Sequence, residues 1–199
     1  MRDTTVDLAV GPDGTSYTLV KAYSGEGNDI ETVLLVGDGS GALVPRVLVS
    51  EGPWEETTLW DHDYLDLTAH LGGRRTSVVV GQDGLARVLL GRAGDRPNLL
   101  ISCHDVGCTS WGQQPVGLSY FLDMAVDSTG RPLLLGSSKE GAVLISCLDV
   151  ACTSRESAVV DVHGEEWNQM QVVVDERDRP VLALQDHVMW CDAPRCGLP

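Results

Sequence analysis

Six cysteines carry the most legible chemistry in this 199-residue chain, and all fall in Cys-x4-Cys pairs: Cys103 with Cys108, Cys147 with Cys152, and Cys191 with Cys196. An even count at fixed spacing predicts disulfides, hence an oxidising compartment. Residues that flank a four-residue hairpin turn face each other about 4.5 Å apart at Cα, close enough to be bridged. Zinc is the rival, but it needs four ligands at one point, and pairs on separate units sit apart. Redox catalysis would call for Cys-x-x-Cys, a spacing these pairs lack.

A second constellation is Asp7, Ser77, Asp123 and Gln171, each three residues before the last apolar residue of a run that ends in a turn. At one level of a radial array they would form a polar ring around a central channel. Asp7 and Asp123, assisted by Ser77 and Gln171, are then a candidate Ca²⁺ site, because calcium prefers carboxylate and amide oxygens. The alternative is that backbone groups and channel water satisfy them. No other cofactor is expected.

The third cluster is the stretch 51–75, which holds Trp54, Trp60, Asp61, Asp63 and Tyr64 in a chain only 5% aromatic. Glu165, Glu166 and Trp167 repeat the mixture further on. Aromatic rings beside carboxylates suit sugar faces and hydroxyls, or a protein hot spot; the alternative is tryptophans that cover the side of the first repeat. Asp61-His62-Asp63 is a poor metal group, since alternate residues of a strand point to opposite sides. The five histidines are scattered, and no Gly-x-Ser-x-Gly, His-Glu-x-x-His or phosphate loop occurs. Carboxylates are numerous enough to supply a glycosidase pair.

The bulk numbers bound the partners. A formal charge of −15 argues against nucleic acid and anionic membrane, and no stretch is long and apolar enough to be inserted in a bilayer. The basic residues, twelve arginines with Lys21 and Lys139, read as coding bias. Met1 to Asp7 lack the pattern of a signal peptide, which conflicts with the expected disulfides. Of the two resolutions, a mature or excised segment of a secreted or cell-surface protein is preferred over a chain whose thiols stay reduced.

All these groups are placed by a repeat. Leu99-Leu100-Ile101-Ser102-Cys103-His104-Asp105-Val106-Gly107-Cys108-Thr109-Ser110 returns 44 residues later at 143–154 and, in worn form, at 188–196. Upstream of each lies an apolar run, a tight turn and another apolar run, with turns that begin at 11, 81, 127 and 175. Gly-Pro-Asp-Gly and its variants between β-rich runs read as hairpins. Each repeat of about 44–48 residues thus holds four strands. In the third they are expected near 121–126, 131–136, 142–147 and 155–162. Meandering four-stranded units repeated radially are the blades of a β-propeller. The chain reads as one all-β, propeller-like domain, 1–199, with blades near 5–50, 76–118, 121–162 and 169–196, an insertion at 51–75, and a last blade that lacks its fourth strand. The first repeat has Val36 and Gly41 where the cysteines would stand, with Asp38 matching Asp105 and Asp149. Those aspartates occupy turn positions and read as turn formers.

The motif Asp127-Ser128-Thr129-Gly130-Arg131-Pro132 with Cys147-Leu148-Asp149-Val150-Ala151-Cys152-Thr153-Ser154 resembles a repeat of bacterial β-propeller proteins whose function is poorly defined. The resemblance covers 76–196 well and 5–50 loosely. It implies the fold and is nearly mute about activity; the sialidase Asp-box is absent.

In such an array the first-to-second and third-to-fourth strand turns share one face, and the irregular connections share the other. Recognition belongs on the irregular face. The expected function is therefore a non-enzymatic binding module for carbohydrate or protein, with Trp54, Trp60, Asp61, Asp63, Tyr64, Glu165, Glu166 and Trp167 at its site. The alternatives are a propeller glycoside hydrolase or lyase that uses loop carboxylates, and a structural segment of a larger propeller. The open edge of the last blade predicts either a homodimer paired there or a chain cut from a longer propeller.

Overall fold

The computed structural model describes residues 3–23, 30–51, 76–91, 97–117, 120–161, 170–184 and 187–197. These residues form fifteen strands and one 3-10 turn, Pro194–Gly197, with no α-helix. Sheet 1 comprises β1 (Asp3–Val10), β2 (Ser16–Tyr23), β3 (Ile30–Gly37) and β4 (Leu43–Glu51). Sheet 2 comprises β5 (Ser77–Val80), β6 (Ala86–Leu90), β7 (Asn98–Cys103) and β8 (Trp111–Val116). Sheet 3 comprises β9 (Tyr120–Val126), β10 (Pro132–Ser138), β11 (Gly141–Cys147) and β12 (Arg155–Asp161). Sheet 4 has three strands, β13 (Gln171–Val174), β14 (Pro180–Ala183) and β15 (Val188–Trp190). Each sheet is an antiparallel meander in chain order, and the strands of the third repeat fall within a residue or two of their expected places.

The sheets stack in sequence order. Their first strands are neighbours in the series β1, β5, β9, β13, while β13 makes no comparable contact with β1. Alternation along each strand sends successive side chains to opposite faces, so an inner sheet serves two cores at once. In sheet 2, Val78, Val88 and Ile101 pack on Tyr17, Leu19 and Leu34 of sheet 1, while Leu89 and Leu100 pack on Leu134 and Ile145 of sheet 3. A third core sets Leu133, Leu135 and Leu144 against Val172 and Leu182 of sheet 4. This explains why β7 and β11 are buried at every position. Sheets covered on both faces read as continuous apolar runs.

Polar ties fix how the sheets sit. The Tyr17 hydroxyl shares its proton between the carbonyls of Val106 (2.8 Å) and Gly84 (3.0 Å), both in sheet 2 loops. Arg46 Nε donates to the Gly107 carbonyl at 3.0 Å, and an Arg155 guanidinium nitrogen donates to the Pro115 carbonyl at 2.7 Å. The turn of sheet 3 meets that of sheet 4 where Asp178 accepts from the Ser128 N–H and hydroxyl, each at 2.7 Å.

Several of the arginines, which in sequence look like coding bias, are structural. Arg131 and Arg179 each clasp the aspartate four residues earlier, Asp127 and Asp175, at 2.7 Å across the first turn of their sheets. Sheet 2 moves the same device two residues along the hairpin, to Asp83 and Arg87. There the guanidinium is fully buried, and the turn of sheet 3 rests on the pair. Gly130 is at φ +81, and a Cβ on it would come within 2.9 Å of Asp83 Oδ2 and 3.0 Å of an Arg87 nitrogen. Only glycine fits there.

Burial, with the charges of Asp13, Asp105 and Asp83 nearby, pushes the Tyr17 phenol up to about 12. Folding favours its neutral form, so that contribution is whole below pH 10 and is lost as pH rises from 10 to 12. Replacing Tyr17 by Phe should cost about 1–3 kcal/mol in urea denaturation, because two loop carbonyls lose their donor. It should also remove the phenol that titrates at about 12, read by ultraviolet absorbance.

Candidate functional site

The ring positions prove to be inter-sheet connectors. Asp7 Oδ2 accepts the Val78 N–H of sheet 2 at 2.8 Å, and Asp123 Oδ2 accepts the Val172 N–H of sheet 4 at 2.8 Å. Both aspartates follow an irregularity in the ladder. An extra residue sits between Thr5 and Asp7 opposite β2, and another between Tyr120 and Asp123 opposite β10. A bulge of this kind re-aims the side chain beside it, and here it turns a carboxylate toward the next sheet. Ser77 holds the equivalent place in sheet 2, but its Oγ is buried without a hydrogen-bond partner, the hydroxyl being too short to span the gap. Gln171, the fourth member, is exposed. Among the described residues no group of three or more His, Cys, Asp or Glu is arranged to hold a metal ion. The expected Ca²⁺ ligands Asp7 and Asp123 each commit an oxygen to backbone.

The three cysteine pairs are disulfides, with Cα separations of 5.0, 4.8 and 4.6 Å, and no cysteine is free. Their setting differs from a simple cross-strand pair. Cys103 lies opposite Trp111 and Cys147 opposite Arg155. The second cysteine of each pair sits inside the loop in a left-handed conformation, at φ 45, 56 and 54 for Cys108, Cys152 and Cys196. Each bridge therefore ties a loop back to the end of the strand that enters it.

Asp105 and Asp149 build those loops, as turn formers should. Asp105 accepts from the Thr109 N–H and hydroxyl and from the Ser110 N–H. Asp149 accepts from the N–H groups of Ala151, Thr153 and Ser154 and from the Thr153 hydroxyl. Hydrogen bonds from Thr109 hold the Asp105 carboxyl below the usual range. At Asp149 and Asp127, burial pushes upward, but donors from Thr153 and from Thr129 with Arg131 outweigh it, and both end below the usual value. The Arg179 guanidinium takes Asp175 down to about 2. On this face the carboxylates of Asp105, Asp127, Asp149 and Asp175 are held ionised by the donors around them.

The opposite end is built differently. An open cleft of about 670 Å³ runs along β11 and β12 of sheet 3, from the β10–β11 hairpin at this end to Arg155 beside the cysteine loop. Its rim is Gly117, which follows β8, together with Ser138, Lys139 and Glu140 of the β10–β11 hairpin, and Arg155 lies at its far end. Val143, Ile145 and Val159 form an aliphatic wall. The cleft has one cation at each end, Lys139 on the hairpin and Arg155 opposite Cys147, with Glu140 beside the first. Nothing in the sequence marks this cleft, because it forms only where sheet 3 meets the segment that follows β8.

The expected aromatic site, Trp54, Trp60, Asp61, Asp63, Tyr64, Glu165, Glu166 and Trp167, lies outside the described residues. No protein-family model matches the chain, and no curated protein matches it either.

Two outcomes test this description. Asp123→Ala should lower stability by about 1.5–3 kcal/mol, the value of a hydrogen bond to a charged group, with the loss read by denaturant unfolding and unaffected by added Ca²⁺. Folding lowers the carboxyl pKa at Asp83, Asp105, Asp127, Asp149 and Asp175, so the unfolded chain binds protons more readily. Their stabilisation is present above pH 3.8 and is lost as pH falls toward about 2, where Asp175 titrates. The urea midpoint should drop through that window, and Asp175→Asn should flatten its lower part.

Proposed function

We propose that the chain is a β-propeller-type binding module without catalytic activity, which holds a carbohydrate or protein ligand on the face of its irregular connections. The observation that carries this reading is the contrast between its two ends. One end is a set of turns closed by ionised aspartates, while from the other, where Lys139 and Glu140 stand on the rim, an open cleft with an aliphatic wall runs along sheet 3. A scaffold that spends its side chains on one end and leaves space at the other is suited to recognition by loops. The sequential stacking of antiparallel meanders supports the propeller arrangement. The three disulfides suit an extracellular setting, and no helix among the described residues is long and apolar enough to cross a membrane.

A glycoside hydrolase needs a carboxylic acid held protonated near neutrality, with its pKa raised. Among the described carboxylates every resolved shift is downward. Trp54, Trp60, Tyr64 and Trp167, with Asp61, Asp63, Glu165 and Glu166, are the residues proposed to contact the ligand.

A glycan array paired with a hydrolase screen separates the two classes. Changing Trp60 and Trp167 together to Ala should abolish ligand retention, and changing Lys139 and Arg155 to Ala should weaken it. Asp105→Asn with Asp149→Asn should cost stability but leave affinity intact. Retention lost only in the aspartate pair would place the site on the wrong end, and turnover of a glycan would refute the non-enzymatic reading.

A further inference from the structure

We infer that two copies of this chain assemble head to tail, the free face of sheet 4 in one packing on the free face of sheet 1 in the other. Each inner sheet gives one face to its predecessor and the other to its successor. The same alternation leaves two faces over. In sheet 4, Val172, Leu182 and Met189 turn toward sheet 3, so Val173, Val181 and Trp190 form a row across the three strands on the outer side. Val173 is 58% exposed and Trp190 67%. In sheet 1, Ala9, Tyr17 and Leu34 turn toward sheet 2, which leaves the row Leu8, Thr18, Leu35 and Pro45 on the outer side. Leu8 is 60% exposed, and Val10, on the same side of β1, 62%.

Neither row carries a charge, although the chain has 43 ionised side chains of Lys, Arg, Asp and Glu (14 basic plus 29 acidic). Contiguous apolar faces of this kind mark interaction surfaces. They are also the two complementary halves of the interface already built three times within the chain, and among the described residues of one copy β13 and β1 make no comparable contact.

The connector position identifies the partner. In sheets 1 and 3 the aspartate at this place reaches the N–H one residue beyond the equivalent position of the next sheet, Val78 after Ser77 and Val172 after Gln171. Sheet 4 offers Gln171 at that place, exposed on the apolar side. The N–H that corresponds to Val78 and Val172 in sheet 1 is that of Leu8, which within one copy turns back to its own neighbour, Asp7 Oδ1, at 2.8 Å. A second copy sets the Gln171 side-chain carbonyl opposite Leu8, in the register of the other interfaces. Each contact is heterologous, and two of them related by a two-fold axis close the ring.

Analytical ultracentrifugation of the chain reads the assembly directly, with circular dichroism to confirm folding. The unmodified chain should sediment as a dimer at about 100 μM. Leu8→Glu and Trp190→Glu, both at exposed positions, should each weaken it by about a hundredfold or more. An equimolar mixture of the two variants contains one undamaged interface per pair and should dimerise more tightly than either alone. A monomeric unmodified chain, a dimer insensitive to Leu8→Glu, or a mixture no tighter than its components would overturn the inference. So would an open ladder of higher oligomers. Pairing through the free edge of β15 would show as a dimer lost only in Trp190→Glu.

Discussion

A β-sheet that is apolar on both faces is stable only between two others, and that constraint organises this molecule. Strands β6, β7, β10 and β11 are buried almost without interruption, so none of the inner sheets has a core of its own. Leu89 and Leu100 are as much part of sheet 3 as of sheet 2. At about 25 cal/mol per Å² of apolar surface buried, the favourable free energy sits between sheets rather than within them. Polar groups at the sheet ends then choose the angle and register at which the packing occurs. The Tyr17 hydroxyl, the Asp83–Arg87 pair beneath Gly130, and the carboxylates of Asp7 and Asp123 all act across a boundary.

That division explains what was legible in the sequence. Much of what is encoded within one repeat could be read: the 44-residue recurrence, the strand boundaries of the third unit, the turn roles of Asp105 and Asp149, and the pairing of each cysteine with the next, though not the clasps of Arg131 on Asp127 and Arg179 on Asp175. What depends on the neighbouring repeat could not. Asp7 and Asp123 announced themselves as polar residues in apolar strands, but their acceptor role belongs to the backbone of another sheet. Arg87 looked like any arginine, because its burial follows from the turn of sheet 3 that lies over it. The cleft beside Gly117 and Lys139 has the same origin. Local pattern fixes the units, and the seams between them hold the functional geometry.

The two ends differ in kind as well as in position. At the turn end, Asp105, Asp127, Asp149 and Asp175 accept three or four hydrogen bonds each and stay ionised. At the connection end, the two-residue Lys139-Glu140 hairpin and Gly117 border an open cleft. Rigidity at one end of a strand is transmitted along its ladder to the other, and a pocket wall held this way can be preorganised for a ligand.

The corner that follows the third strand is turned in two ways. In sheets 2, 3 and 4 a cysteine occupies the left-handed position, held there by its partner, whereas in sheet 1 Gly41 takes the same corner at φ 91 with no bond to hold it. Left-handed backbone is costly for a residue with a Cβ and nearly free for glycine. The corner of the first repeat is therefore indifferent to the redox state of its surroundings, while the other three each carry a bond that only oxidation forms.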